Sequence, residues 1–180
     1  IGQISCNDCD DNHFSETGQN VCTICTDISG VSECESDGTA TSCIGGYELV
    51  DGVCEVCPTG KAGTGGTCDP CAIGTYQDQA GQTSCTNCAA GTFSGAAASQ
   101  CTTCAAGTIS GAAASQCTNC EAGKYQGTAG QTSCIDCAAG TYSSHTGATE
   151  ESSCESCAAG FYQSGDGGTS CDECTVPNMA

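Results

Sequence analysis

Ten Cys-x-x-Cys doublets run from Cys6–Cys9 to Cys171–Cys174, and only Cys34 and Cys43 of the 22 cysteines stand outside them. The stretches between doublets are mostly 10–16 residues long. A chain laid out in this way specifies a row of small cross-linked modules, because each short interval is within reach of covalent closure. It specifies a construction far more clearly than a reaction.

An ordinary core is not available as an alternative. Leu, Ile, Val and Phe make up 18 of the 180 residues, Trp is absent, and the formal net charge is −19. Without its cysteines such a composition reads as disordered. Cross-links reverse that reading by shrinking the unfolded ensemble, at about 3 kcal/mol for each loop of this size in the chain-entropy picture.

Cysteine at this density points to an oxidising compartment, with the chain secreted, at the cell surface or luminal. No signal peptide, transmembrane run or lipid anchor is visible. Beginning at Ile1 without Met, the chain reads as a mature product or a stretch of a longer protein. Lys61 and Lys124 are the only basic residues. A phosphate backbone would be repelled, which argues against nucleic acid, and anionic membranes are disfavoured for the same reason.

From Cys88 the repetition is close to literal. Cys88-AAGTFSGAAASQ-Cys101-TT-Cys104 is followed by Cys104-AAGTISGAAASQ-Cys117-TN-Cys120, a step of 16 residues. The reading divides the chain into irregular cysteine-rich modules over 1–56, a tandem array over 57–174, and a tail or linker over 175–180. Three residues after each loop-opening cysteine stands Gly46, Gly60, Gly74, Gly91, Gly107, Gly123, Gly140 or Gly160, with Asn12 in the first loop. Gly and Asn tolerate positive φ, so a left-handed backbone position is expected there in every module. Two residues further on comes a large side chain: Phe14, Tyr76, Phe93, Ile109, Tyr125, Tyr142 or Tyr162. One such group per module, laid over a disulfide or the next module's backbone, forms a minimal packing unit.

The expected fold class is therefore small disulfide-rich repeats. They form an elongated ladder or rod of irregular short β-hairpin modules, with little helix and no central hydrophobic core. Two pairing schemes compete. In the first, the second cysteine of each doublet bonds the first of the next: Cys9–Cys22, Cys57–Cys68, Cys71–Cys85, Cys88–Cys101, Cys104–Cys117, Cys120–Cys134, Cys137–Cys154 and Cys157–Cys171. Cys25–Cys34 and Cys43–Cys54 complete the irregular part, and Cys6 and Cys174 are left over. In the second, doublets pair two by two, as Cys85–Cys101 with Cys88–Cys104. Near-identical repeats favour the first, because the second makes alternate repeats inequivalent. Contacts in the first scheme are expected between nearest neighbours alone.

Other chemistry finds little support. Zinc ribbons use similar doublets, but these ten would require about five ions with almost no basic residues to offset the thiolates. A redox Cys-x-x-Cys needs a helix start within a βαβ setting, which is missing here. His13 and His145, the only histidines, lie in polar loop sequence and read as solvated rather than as general bases. No catalytic residue is assigned and no enzyme is expected. Asp8, Asp10 and Asp11 are weak calcium candidates with Asn7 and Asn12, and calcium is the one candidate cofactor. No Asn-x-Ser/Thr sequon occurs. Thr92, Thr108 and Thr141 recur among small residues and are candidates for O-linked sugars.

The unit Cys-x-x-Cys-Ala-Ala-Gly-Thr-Tyr-Ser…Gly…Ser-Cys-x-x-Cys resembles the ephrin-receptor-like cysteine-rich repeat, itself similar to the tumour-necrosis-factor-receptor module. Cys137-AAGTYSSHTGATEESS-Cys154-ES-Cys157-AAGFYQSGDGGTS-Cys171 carries the likeness best. The Ala/Gly/Thr-rich filling is also similar to the immobilisation-type surface antigens of ciliates. The resemblance covers 57–174 well and 1–56 loosely, and Ala mostly stands where those repeats have Pro after the doublet. It implies disulfide-linked ladder modules outside the cell with the sequential pairing. The function expected is an extracellular structural protein in a surface coat or filament, its partners copies of itself or other coat proteins. The alternative is a ligand-binding ectodomain or stalk, for which Tyr47, Glu48 and Asp51 in the non-repeating 25–57 region are the candidates.

Overall fold

The computed structural model describes residues 29–35 and 39–175, together with the backbone of 13–14 and 23–24. It divides into two units, one of residues 1–86 with 96–100 and the other of 87–95 with 101–180.

In the first unit, antiparallel hairpins join His13–Phe14 to Thr23–Ile24, Val31–Cys34 to Ala40–Cys43, Tyr47–Val50 to Val53–Val56, and Lys61–Ala62 to Asp69–Pro70. The middle two have four-residue strands, longer than those of the repeats. Val31, Cys34 and Ala40 form a small apolar cluster there, with Cys54 packed against it. The Tyr47 ring lies over the bare α-carbon of Gly30, where a Cβ would come within 2.3 Å of it.

In the second unit, two-residue strands pair as Thr92–Phe93 with Thr102–Thr103, Thr108–Ile109 with Thr118–Asn119, Lys124–Tyr125 with Ile135–Asp136, Thr141–Tyr142 with Glu155–Ser156, and Phe161–Tyr162 with Asp172–Glu173. Each hairpin is closed by the amide of the next opening cysteine, as where Cys104 N donates to Gly91 O at 2.9 Å and Cys120 N to Gly107 O at 2.9 Å. The Ala-rich GAAASQ segments are turns. The only helical element among the described residues is one 3₁₀ turn, Glu151–Ser153.

Disulfides join Cys43–Cys54, Cys57–Cys68, Cys71–Cys85, Cys88–Cys101, Cys104–Cys117, Cys120–Cys134, Cys137–Cys154 and Cys157–Cys171. Every module from Cys43 on is thus a ring closed on itself. Cys34 is also disulfide-bonded; Cys9, Cys22 and Cys25 lie outside the described residues. Cys174 is free and exposed.

The deepest side chains are sulfur rather than hydrocarbon. The opening cysteines Cys57, Cys71, Cys88, Cys104, Cys120 and Cys137 are at most 1% exposed. Their closing partners, apart from Cys68, are half-buried. The large side chains two residues beyond each glycine are only half-buried at Tyr76, Phe93, Ile109, Tyr125 and Tyr142, and exposed at Tyr162. The fold is a series of disulfide-closed hairpin modules with little helix.

Candidate functional site: the repeated joint between modules

Each joint is built from main-chain atoms. The chain leaves an opening cysteine, turns through the left-handed glycine, and runs as a two-residue strand. All eight of these glycines have positive φ, from 79° at Gly60 and Gly74 to 91° at Gly160. That conformation turns the glycine amide away from its own hairpin and towards the following module. Gly107 N donates to Gln126 O (2.7 Å), Gly123 N to Ser143 O (2.7 Å) and Gly140 N to Gln163 O (2.8 Å). Gly60 N does the same to Gln77 O (2.7 Å).

A second bond runs back from the tip of the following module. Gly130 N donates to Cys104 O (2.8 Å), Gly147 N to Cys120 O (2.7 Å) and Gly167 N to Cys137 O (2.7 Å). A third joins the strand end to the same tip, as where Gln126 N meets Ala148 O at 3.0 Å and Ser143 N meets Gly168 O at 3.0 Å. The tip amide comes from a residue that also has positive φ. Glycine fills the place at Gly81, Gly130, Gly147 and Gly167, but Ala97 and Ala113 adopt φ of 55° there.

Contact extends one module further than nearest neighbours. A Cβ built on Gly107 would lie 2.3 Å from Gly147 O, in the second module along. The same holds for Gly91 against Gly130 O at 2.0 Å and Gly123 against Gly167 O at 2.2 Å. In the first unit it holds for Gly46 against Gly81 O at 2.2 Å and Gly60 against Ala97 O at 2.3 Å. The expectation of nearest-neighbour contacts alone is corrected. The cause is the glycine itself, whose bare α-carbon leaves room for a carbonyl from two modules away.

Sequence reasoning missed two further positions. The residue after each large side chain is the most buried polar group of its module: Gln77, Ser94, Ser110, Gln126 and Ser143 are at most 7% exposed. Where the cysteines of a module are 14 apart, this residue is Gln and staples the turn. Gln126 Nε2 donates to Ser133 O (2.8 Å) and its Oε1 accepts from Thr128 N (3.0 Å), and Gln77 bonds Ser84 and Gln79 in the same way. Where the separation is 13, at Ser94 and Ser110, Ser suffices. Ser110 Oγ donates to Thr92 O in the preceding module at 3.0 Å. Ser143 Oγ is buried without a partner. The second missed position is the tip residue, four places before the closing cysteine in Gly81, Ala97, Ala113, Gly130 and Gly167. That register was the available signal.

Outside the joints the surface is polar and open. Lys124 and Asp136 sit opposite each other in their hairpin and hydrogen-bond through their side chains; that bond and the Asp136 charge raise the Lys124 pKa. Tyr142 donates its hydroxyl to Glu155 Oε2 at 3.0 Å, and that bond and the carboxylate charge raise the phenol's pKa. Thr92, Thr108 and Thr141 each donate Oγ1 to the carbonyl three residues back, at 2.7, 2.8 and 2.7 Å. His145 is exposed. A groove of about 330 Å³ runs beside Ile109, Asn119, Glu121 and Lys124. No group of three metal-binding side chains occurs among the described residues. Asp8, Asp10, Asp11, Asn7, Asn12 and the Phe14 and His13 side chains lie outside them. No helix of the described residues is long and apolar enough to cross a membrane.

The family described as tyrosine-protein kinase ephrin type A/B receptor-like matches residues 60–104 and, a second time, 107–154. No curated protein matches the chain.

Proposed function

Because this chain belongs to the ephrin type A/B receptor-like family, we propose that it is a non-enzymatic structural protein of a cell-surface coat or filament. Its disulfides and its family indicate an extracellular, disulfide-rich ectodomain. The observation that supports the structural reading is the joint. The same three backbone bonds and the same contact at a bare glycine recur from module to module. A chain whose modules continue one another in this way is equipped to bear load and cover surface.

Two experiments test this reading. Labelling of intact source cells with a membrane-impermeant reagent should mark the chain, and it should fractionate with insoluble surface material. Recovery as a freely diffusing secreted protein would overturn the coat. O-linked sugars at Thr92, Thr108 or Thr141 belong to the same proposal, although each would displace the hydrogen its hydroxyl now donates. Intact mass above that of the oxidised bare chain tests them.

One observation favours a second reading, a ligand-binding ectodomain. Ile44, Leu49, Val50, Val53 and Val56 are exposed together on and beside the Tyr47–Val50/Val53–Val56 hairpin, with Val53 at 60%. Among so few aliphatic residues this concentration is a surface suited to a partner. Val53→Asp would abolish such binding and leave coat incorporation unchanged.

A further inference from the structure

Three grooves in the second unit are one groove repeated. They lie at the successive joints that link the 104–117, 120–134, 137–154 and 157–171 modules, with volumes of about 330, 110 and 480 Å³ in that order. Each is lined by the large side chain of one module (Ile109, Tyr125 or Tyr142) and by the closing cysteine of the next (Cys134, Cys154 or Cys171). Each also takes the residue after the left-handed glycine of the next module, which is Lys124, Thr141 or Phe161. The correspondence holds although the second module of each pair closes its ring over 14, 17 or 14 residues. The groove is therefore a product of the joint and not of any one loop.

The lining repeats in kind as well as in place. Ile109, Tyr125 and Tyr142 are half-buried, so each leaves part of an apolar surface in the groove. Every groove carries an exposed carboxylate: Glu121 in the first, Glu151 in the second and Glu155 in the third. Hydroxyl residues accompany them, such as Thr118 and Ser133 in the first and Ser156 and Ser170 in the third. An apolar platform ringed by acceptors matches a pyranose, whose C–H face is apolar and whose hydroxyls donate at its rim. With a net charge of −19, sulfated or uronic-acid chains are repelled. A peptide anchor needs a desolvated pocket for a side chain, and these grooves lie open.

We propose that this row of grooves binds an uncharged glycan chain of β-1,4-linked pyranoses. Such a chain repeats itself as the grooves do, and its equatorial linkages leave the faces of its rings bare for Tyr125 and Tyr142. The proposal goes beyond the coat reading and does not rest on it. Each groove alone offers one half-buried side chain and a few acceptors, so a single site is weak. Affinity comes from one chain engaging several grooves at once. The first groove is the poorest of the three, because Ile109 stands where the other two have an aromatic ring.

The test is titration of the full oxidised chain with β-1,4-linked glucose and N-acetylglucosamine oligomers, from disaccharide to hexasaccharide, read by calorimetry and by amide chemical shifts. The expected result is binding of a hexasaccharide from one series with Kd of about 0.1–1 mM, with shifts at Tyr125 and Tyr142. It should bind roughly tenfold more tightly than its disaccharide, because more than one groove is engaged. Ile109→Tyr installs the residue that its neighbours carry at this register and should tighten binding by about threefold, a gain that misfolding does not mimic. Glu151→Gln, at an exposed position, should weaken it by about threefold. Absence of shifts with both series, or equal affinity for disaccharide and hexasaccharide, overturns the proposal. So does affinity that neither variant alters. Binding of a Val/Leu-rich peptide in these grooves while both glycan series stay inert also overturns it. None of these outcomes bears on the coat, which the surface-labelling experiment judges separately.

Discussion

Replacing Gly107 by Ala separates the two reasons for a glycine at the joint. The first is conformational: a left-handed L-residue costs about 1–2 kcal/mol. The second is steric, since the new methyl would stand 2.3 Å from Gly147 O and 3.1 Å from Thr149 Cγ2. A carbon–oxygen contact of about 3.3 Å is needed, so the 137–154 tip must retreat by roughly 1 Å. Two bonds hold that tip, Gly147 N to Cys120 O at 2.7 Å and Gln126 N to Ala148 O at 3.0 Å. At a net value of about 1 kcal/mol each, their loss adds roughly 2 kcal/mol to the backbone cost. Gly160→Ala carries the conformational cost alone, because its methyl meets nothing in the same molecule. The assay is hydrogen exchange under conditions where the chain is monomeric, since a repeat array opens locally rather than all at once. In Gly107→Ala the Gly147 amide should exchange about 30-fold faster, the equivalent of 2 kcal/mol; in Gly160→Ala it should be unchanged. Equal effects of the two substitutions on the Gly147 amide would show that second-neighbour contact contributes nothing.

Ala97→Gly and Ala113→Gly should each stabilise their tips by about 0.5–1 kcal/mol, because both alanines adopt φ of 55°; slower exchange at the substituted amides checks this. Ser110→Ala should cost about 1 kcal/mol through the lost bond to Thr92 O, whereas Ser143→Ala should be neutral or stabilising because its hydroxyl is already unpartnered; denaturant-dependent exchange of the two modules compares them. Glu155→Gln should lower the titration midpoint of the Tyr142 phenol, read by ultraviolet difference absorbance. Since the folded-state pKa is raised, the stabilisation from this pair is present below about pH 10 and is lost as pH rises through the elevated value.

Much of the module was legible in the sequence, for reasons tied to residue type. A glycine repeated three places after a cysteine marks a backbone conformation that other residues resist, and Gly91 and Gly123 occupy it. Covalent closure was legible because cysteine density left no other source of order. The tip was not, because Ala97 and Ala113 hold a conformation that alanine does not advertise. Second-neighbour contact was hidden for a different reason. Gly147 O and Gly167 O are peptide oxygens, present in any sequence, and only the shape of the chain brings them against Gly107 and Gly123. The large side chains misdirect in the opposite sense: their register is conspicuous, yet Phe93 and Tyr125 are half-buried while the neighbouring Ser94 and Gln126 go inside.

The 137–154 ring accommodates its longer span entirely after the tip, in the 3₁₀ turn of Glu151–Ser153, and Gly147 still reaches Cys120 O. A joint composed of peptide groups is blind to most of the text it connects. Whole units are then interchangeable parts, and the stretch between tip and closing cysteine can lengthen without any compensating change next door. The constraint falls instead on a few letters per unit: two cysteines, the joint glycine, and a tip residue that accepts positive φ.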